Sequence, residues 1–510
     1  MTTEKPCPCL INGRWVAAQT ERFDNIWNPS TGEAIGKAPL CNAGDVDRAV
    51  QAARKAFPAW RETPVTDRAR IMFRFQEVLT RHADEVARIC SLEHGKTLAE
   101  SRASVQRGIE MIEFACGIPS LYAGDIVENL APSVDSETVR HPLGVVAGIT
   151  PFNFPAMVPL WMYPVALTCG NCFVLKPSPR VPLSSVRIGE LLLEAGIPEG
   201  VFSIVHGDKE CVDALLTHPD IRAISFVGST KVAKYIYETG TAHGKRVQAA
   251  GGAKNHIIIM PDADMAPTIG GLINSAFGCA GERCMAGSLA IPVGNVADEV
   301  VERLCERGRK MKVGRTDRGD DMDMGPVISR PHLERVRGYL DIAEKEGAKL
   351  ALDGRKISVA DGPNGFFVGP TVIDHVQPQM RVAKEEIFGP VLSVTRVNTL
   401  DEAFELGQQC EYGNGAVIFT SSGRAAREFK HRFNAGMIGI NVGVPAPMAW
   451  FPFTGWNRSF FGDLHIQGKE GVAFYTQQRM TLTRWFEPAK VDKHDPVWRP
   501  GTARSSAGKD

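Results

Sequence analysis

Cys284 stands in the stretch Phe277-Gly278-Cys279-Ala280-Gly281-Glu282-Arg283-Cys284-Met285-Ala286-Gly287-Ser288, beside an arginine and among small residues. A thiolate is a strong nucleophile, an adjacent guanidinium favours the ionised form, and small neighbours let other groups approach. The segment therefore has the parts for covalent catalysis. Alone it is a weak signal, because most cysteines are small buried hydrophobes. Two further segments offer a different chemistry. Leu175-Lys176-Pro177-Ser178 closes an apolar run with a cation and a hydroxyl, and Phe226-Val227-Gly228-Ser229-Thr230 closes another with a glycine and two hydroxyls where a helix begins. Backbone N–H groups at a helix start suit a pyrophosphate, and a lysine can bond a ribose. The plain alternatives are a surface charge at Lys176 and an ordinary helix cap at Ser229. The chain has no GxGxxG in these segments, so a standard dinucleotide fingerprint is absent. Cys169 and Cys172 form a CxxC, and Cys7 and Cys9 lie close together. Neither pair has a partner pair or a nearby histidine at ligand spacing, and no metal site is expected.

These groups need a frame. From residue 144 short apolar runs alternate with helical segments. Strands are expected near 144–149, 172–175, 201–205, 223–227 and 256–260, with helices at 157–168, 183–195, 211–216 and 232–238 between them. Such alternation gives an α/β fold with a parallel sheet covered on both faces, and ligands bind at the carboxyl ends of its strands. Lys176 and Ser229 fall at two of those ends. Before this region, 10–38 reads as short strands and turns, with Asn12-Gly13 as a hairpin signal. Helices follow, with Asp45 placed to cap 46–57 and Thr66 the run to His82. A third helix, 99–115, puts Val105, Ile109, Ile112 and Cys116 on one face, which leaves Arg107 elsewhere as an apparent surface charge. The Cys284 segment opens a further region with helices at 297–310, 400–409 and 423–433 and a strand at 437–442.

At 510 residues, two or three domains are expected. Lysine plus arginine number 58 and aspartate plus glutamate 58, so no net charge draws the chain to nucleic acid or an anionic membrane. No apolar run reaches membrane-spanning length, and residues 1–10 have neither secretory nor transit-peptide character. Twelve scattered cysteines suggest reduced thiols and a cytoplasmic setting.

From about Leu10 to about Trp485 the chain resembles the aldehyde dehydrogenase superfamily. The motifs occur in that family's order: Pro151-Phe152-Asn153-Phe154-Pro155, Lys176-Pro177-Ser178, Phe226-Val227-Gly228-Ser229, Gly281-Glu282-Arg283-Cys284 and Glu386-Ile387-Phe388-Gly389-Pro390. The resemblance implies a Rossmann-type NAD-binding domain (1–125 and 145–255), an α/β catalytic domain (256–470), a small oligomerisation element (126–144 and 471–490) and a loose tail (491–510). It implies Cys284 as nucleophile, Asn153 as an oxyanion donor, and Phe152, Lys176, Arg180, Ser229 and Glu386 as cofactor contacts. Glu386 is expected on the nicotinamide ribose and Arg180 on the adenosine side. A homo-oligomer, dimer or tetramer, is expected.

The next step of the reaction turns on a missing residue. Hydrolytic members carry a general-base glutamate in a segment matched here by Gln248-Ala249-Ala250-Gly251-Gly252-Ala253-Lys254-Asn255-His256. Alignment on Lys254 puts Ala250 at that position, and a methyl group takes no proton from water. A thiol acceptor avoids the problem. The resemblance is therefore to the CoA-acylating branch that oxidises malonate semialdehyde or its methyl derivative, with coenzyme A as co-substrate and loss of carbon dioxide. That branch places two arginines on the substrate carboxylate, here Arg107 and Arg283, and a planar guanidinium fits a carboxylate in bidentate fashion. This replaces the surface reading of Arg107. The rival expectations are a hydrolytic NAD-dependent enzyme for another short carboxylated aldehyde and an inactive cofactor-binding protein; the retained Cys284 and Asn153 argue against the latter. Three departures stand out: Pro179 after Ser178, Gly251 in place of a larger apolar residue, and Glu282 in place of glutamine.

Overall fold

The computed structural model describes residues 6–319 and 321–486; the expected tail, 491–510, lies outside them. Five strands form a parallel core in the order Phe202–Ile204, Cys172–Lys176, Val145–Ile149, Ile221–Val227 and Arg246–Ala250. Chain order reverses direction at Val145–Ile149, which makes a topological switch point beside it. The hairpin Cys9–Ile11 and Arg14–Val16 adds antiparallel strands at one edge, and Phe460–Phe461 closes the other. Asn12 and Gly13 both take positive φ in that hairpin, 53° and 73°, as its turn chemistry requires.

Between these strands run Met157–Thr168, Leu183–Glu194, Lys209–Thr217 and Thr230–Ala242. Met157–Thr168 is buried along its whole length, as an all-apolar helix must be. Leu98–Cys116 packs across it. A Cβ on Gly108 would sit 2.4 Å from Leu160 Cδ1, so any larger residue there would have to displace that side chain. Val105, Ile109 and Ile112 of this helix are buried, as its periodicity predicts.

Two helix starts differ from expectation. Ala43–Glu62 begins at Asn42, whose side chain accepts from Asp45 N, while the Asp45 carboxylate accepts from Asn42 N. Asp45 is thus the third helical residue of a capping box rather than the cap. Val65–Arg81 starts after Pro64 with no side-chain cap, so Thr66 lies inside it. Proline at the boundary starts the helix without one.

A second sheet holds the Cys284 region: Lys349–Leu352, Thr371–Asp374, Val391–Val394, Gly287–Pro292, Asn255–Ile259, Gly415–Phe419 and Met437–Ile440. All neighbours are parallel except the first pair. A third, antiparallel sheet joins Ile126–Ala131, Val134–Pro142 and Thr476–Arg484. Among the described residues, no helix is long and apolar enough to cross a membrane.

Candidate active site

Parallel register lines up the strand ends. Ile149 pairs with Lys176 and Phe226, and Val227 with Ala250. The residues that follow these ends border one cavity of about 340 Å³: Phe152 and Asn153, then Gly228 and Ser229, then Gly251 and Gly252. Cys284, Glu386 and Arg180 border it as well. The Ser229 side chain makes no capping bond to its helix, so its hydroxyl is not spent there. A Cβ on Gly252 would fall 2.5 Å from Glu386 Oε2, and Glu386 Oε1 accepts from Ala253 N at 2.9 Å. Glycine at 252 is what lets the carboxylate reach the cavity wall. At Gly251, where a larger side chain was expected, the backbone of Arg458 and Thr230 Oγ1 already fill the space. The Arg180 guanidinium lies over the Phe152 ring at 5.6 Å. Lys176 is set apart: its ammonium donates to Pro177 O and Gly207 O, at 2.9 and 2.8 Å, and does not border the cavity.

The Cys284 loop is held by strain and by amides. Cys279, Ala280 and Gly281 have φ of 51°, 51° and 71°. Left-handed backbone at non-glycine residues is unfavourable and marks sites where surrounding structure enforces it. A side chain at Gly281 would collide with Gly389 O at 2.0 Å. Beyond the turn, Asn255 Nδ2 and Asn414 Nδ2 each donate to Cys284 O at 2.9 Å. The backbone N–H groups of Cys284 and Met285 lie against the sulfur and act to lower its pKa, as does Arg283. Burial outweighs them, the Glu386 charge adds to it, and the thiol is pushed up to about 12. This corrects the expectation that Arg283 makes Cys284 a thiolate: the resting form is the thiol. Asn153 Nδ2 donates to Glu282 O at 3.0 Å, which leaves its second N–H for a ligand.

Cys284 also borders a second cavity, of about 490 Å³, and is the residue that the two walls share. Arg107 and Arg283 both border it, with an apolar wall of Phe154, Met157, Trp161 and Phe453. Each arginine has a protein carboxylate at hand. Arg107 Nη1 bonds Glu110 Oε2 at 2.9 Å, and Arg283 Nη2 lies 3.4 Å from Glu100 Oε1 while its Nη1 donates to Asn274 O at 3.1 Å. A guanidinium has five N–H donors, so both retain capacity for an anion. Glu100 also accepts from Cys279 N at 2.6 Å and closes the capping box of the Arg107 helix with Thr97. One carboxylate thus fixes the arginine helix to the cysteine loop.

Glu282 has a structural account that its sequence position did not supply. It is fully buried, accepts from Ile328 N at 3.1 Å, and faces His332 Nε2 at 3.4 Å and His94 Nε2 at 3.8 Å. Burial pushes its carboxyl up to about 8 and both histidines well down, so all three are neutral at pH 7. Native Glu282 therefore keeps a proton that the unfolded chain has lost above the ordinary carboxylate range. Its contribution to stability is complete below that range and is lost as pH rises toward about 8, at no more than about 1.4 kcal/mol per pH unit. Glu282→Gln removes this slope. In chemical denaturation, the variant should gain on the native protein between pH 5.5 and 8; a constant difference would show that the carboxyl does not titrate there.

Several neighbours carried no sequence signal. His332 and Arg335 reach the first cavity from the helix Arg330–Lys345, where a charge reads as surface, and Arg335 Nη2 donates to Glu386 O at 2.8 Å. Asn414, between the strands Tyr412–Gly413 and Gly415–Phe419, and Glu100, on the helix Leu98–Cys116, reach the Cys284 loop from far along the chain.

A cysteine between two cavities, at the carboxyl ends of a doubly wound sheet, defines a dehydrogenase of the kind the motifs resemble. The aldehyde dehydrogenase family model matches residues 15–481, and the chain belongs to that family. Malonate-semialdehyde dehydrogenase 3 of Geobacillus kaustophilus (strain HTA426) is 52% identical over 486 residues, 95% of this chain and 100% of that protein. Among solved structures, methylmalonate-semialdehyde dehydrogenase from Oceanimonas doudoroffii superposes with a TM-score of 0.94 at 51% identity, covering 96% of this chain and 99% of that one. A chain from Sinorhizobium meliloti 1021, assigned as a methylmalonate-semialdehyde dehydrogenase and complexed with NAD, has a TM-score of 0.94 at 44% identity over the same shares.

Proposed function

We propose that the chain oxidises malonate semialdehyde or methylmalonate semialdehyde with NAD, through a thioacyl intermediate on Cys284. The acyl group passes to coenzyme A with loss of carbon dioxide, giving acetyl-CoA or propanoyl-CoA. The observation that carries this reading is Cys284 at the junction of two cavities, one bordered by strand ends and helix-start amides, the other by Arg107 and Arg283. The names of the relatives at about half identity support the same substrates.

The residues divide the work as follows. Arg107 and Arg283 hold the carboxylate and bring the aldehyde carbon to Cys284. The sulfur adds to that carbon as its proton passes to solvent, and the free N–H of Asn153 with the Cys284 backbone N–H receives the developing oxyanion. The first cavity fits a dinucleotide: Gly228, Gly251 and Gly252 line it, and the Gly252 gap seats Glu386 where a ribose hydroxyl can be bound. NAD held there by Phe152, Arg180, Ser229 and Glu386, with Lys176 behind them, supplies the acceptor for the hydride. Ala250 offers no base to water, so the thioester persists until the thiol of coenzyme A takes the acyl group and Cys284 is released as the thiol.

Glu386 borders the same cavity as Cys284 and is the carboxylate on which the second reading, hydrolysis to a free acid, would rest. NADH formation from malonate semialdehyde with and without coenzyme A separates the two. Turnover is expected to require coenzyme A and to yield acetyl-CoA; turnover indifferent to it, with a free acid as product, would favour hydrolysis.

The domain limits 1–125 with 145–255, 256–470, and 126–144 with 471–490 form part of the proposal, as does a cytoplasmic setting. So does a homodimer or homotetramer. The three-stranded sheet exposes Val127, Met480 and Leu482 on one face, which its register aligns through Ser136 and Thr138, an apolar face suited to a second copy of the chain.

A further inference from the structure

Gln467 borders the arginine cavity and is unusual in two independent ways. Its backbone has φ 76° and ψ 172°, a region that side chains other than glycine's scarcely enter. That conformation is held from both sides: Phe453 N donates to Ile466 O at 2.7 Å, Gly468 N to Ala449 O at 3.1 Å, and Gly471 N to Gln467 O at 2.9 Å. Its side chain is equally exceptional. Gln467 is 3% exposed, yet its Oε1 is buried without a hydrogen-bond partner, and no described residue bonds its amide nitrogen. Buried amides are almost always satisfied, and an orphan in a cavity wall marks a place for a ligand atom.

We propose that Gln467 is a specificity-determining residue whose side-chain amide donates a hydrogen bond to the carboxylate of the bound semialdehyde, as a third donor beside Arg107 and Arg283. The inference rests on the substrate class proposed above. A semialdehyde of that class offers only acceptors at neutral pH, so the amide must present its N–H. It can do so freely, because turning the amide over breaks no protein hydrogen bond. The aldehyde oxygen belongs with Asn153, and the carboxylate is the stronger remaining acceptor. Both arginines are partly engaged by Glu110 and Glu100, which leaves a carboxylate room for a neutral donor.

The test compares malonate semialdehyde with propanal for the native enzyme and for Gln467→Met, Gln467→Gly and Gln467→Glu. The Met and Gly variants should lose roughly 10- to 100-fold in kcat/KM for the semialdehyde, mainly through KM, and less than about twofold for propanal. Gln467→Glu should lose more, because it sets a like charge against the carboxylate. Gln467→Gly relieves the backbone, so its melting temperature should match or exceed the native value while the substrate effect persists. Met and Gly variants that keep the native preference for the semialdehyde, or that lose equally on propanal, overturn the inference alone. A native enzyme that oxidises propanal but not the semialdehyde overturns the substrate reading, and the inference with it.

Discussion

Cys284→Ala is expected to end NADH formation from malonate semialdehyde, by on the order of 10⁴-fold or more, without unfolding the protein. The size of the loss follows from the chemistry: without sulfur there is no thiohemiacetal from which a hydride can leave, and the donors around Asn153 have no oxyanion to receive. The fold should survive because the loop is held by other groups. Three successive positive-φ residues, Cys279 to Gly281, set its path, and Asn255 and Asn414 grip Cys284 O. Alanine keeps the Cβ and every one of those bonds. Steady-state rates and a melting curve check both halves. Activity within about tenfold of native in a folded variant would remove Cys284 from the chemistry.

The second large effect is expected from Arg107→Ala, on the order of 100-fold in kcat/KM for malonate semialdehyde and far less for propanal. Charged hydrogen bonds to a carboxylate are among the stronger ones a side chain makes, and a forked guanidinium can make two. Arg107 is the cleaner of the two arginines to test. It is half-exposed and, among the described residues, tied only to Glu110 on its own helix, whereas Arg283 is packed against Glu100, Asn274 and the Gly278 turn, so its loss would also disturb the Cys284 loop. Lysine at 107 should restore only part of the loss, since an ammonium lacks the planar fork. Equal losses on both aldehydes would make Arg107 a structural residue.

Much of the frame was legible in the chain. The alternation after residue 144 predicts four of the five parallel core strands to within about two residues but misses Arg246–Ala250, its strand at 256–260 belongs to the second sheet, and Met157–Thr168 falls where its apolar run places it. Hydrophobic period is a local property and survives folding unchanged. Helix starts were less legible: Asp45 and Thr66 have capping chemistry, but whether a residue caps or sits in the first turn depends on neighbours such as Asn42 and Pro64. The residues that converge on Cys284 from a distance were legible only where a family motif carried them. Glu100, Asn414 and Gln467 have ordinary local surroundings, and nothing in their spacing joins them to residue 284.

The sequence by itself determined the membership and the type of reaction, because those depend on which functional groups exist and in what order: a cysteine, an amide, two arginines and a methyl at residue 250. Tertiary structure decided the state of each group. It made Cys284 a thiol and Glu282 a neutral acid, turned Lys176 onto two carbonyls, tied Arg283 to Glu100, and left the Gln467 amide unpaired in a cavity wall. The reason is physical. Ionisation and donor capacity are set by desolvation and by partners within a few ångströms, and those partners are brought together from opposite ends of the chain only when it folds.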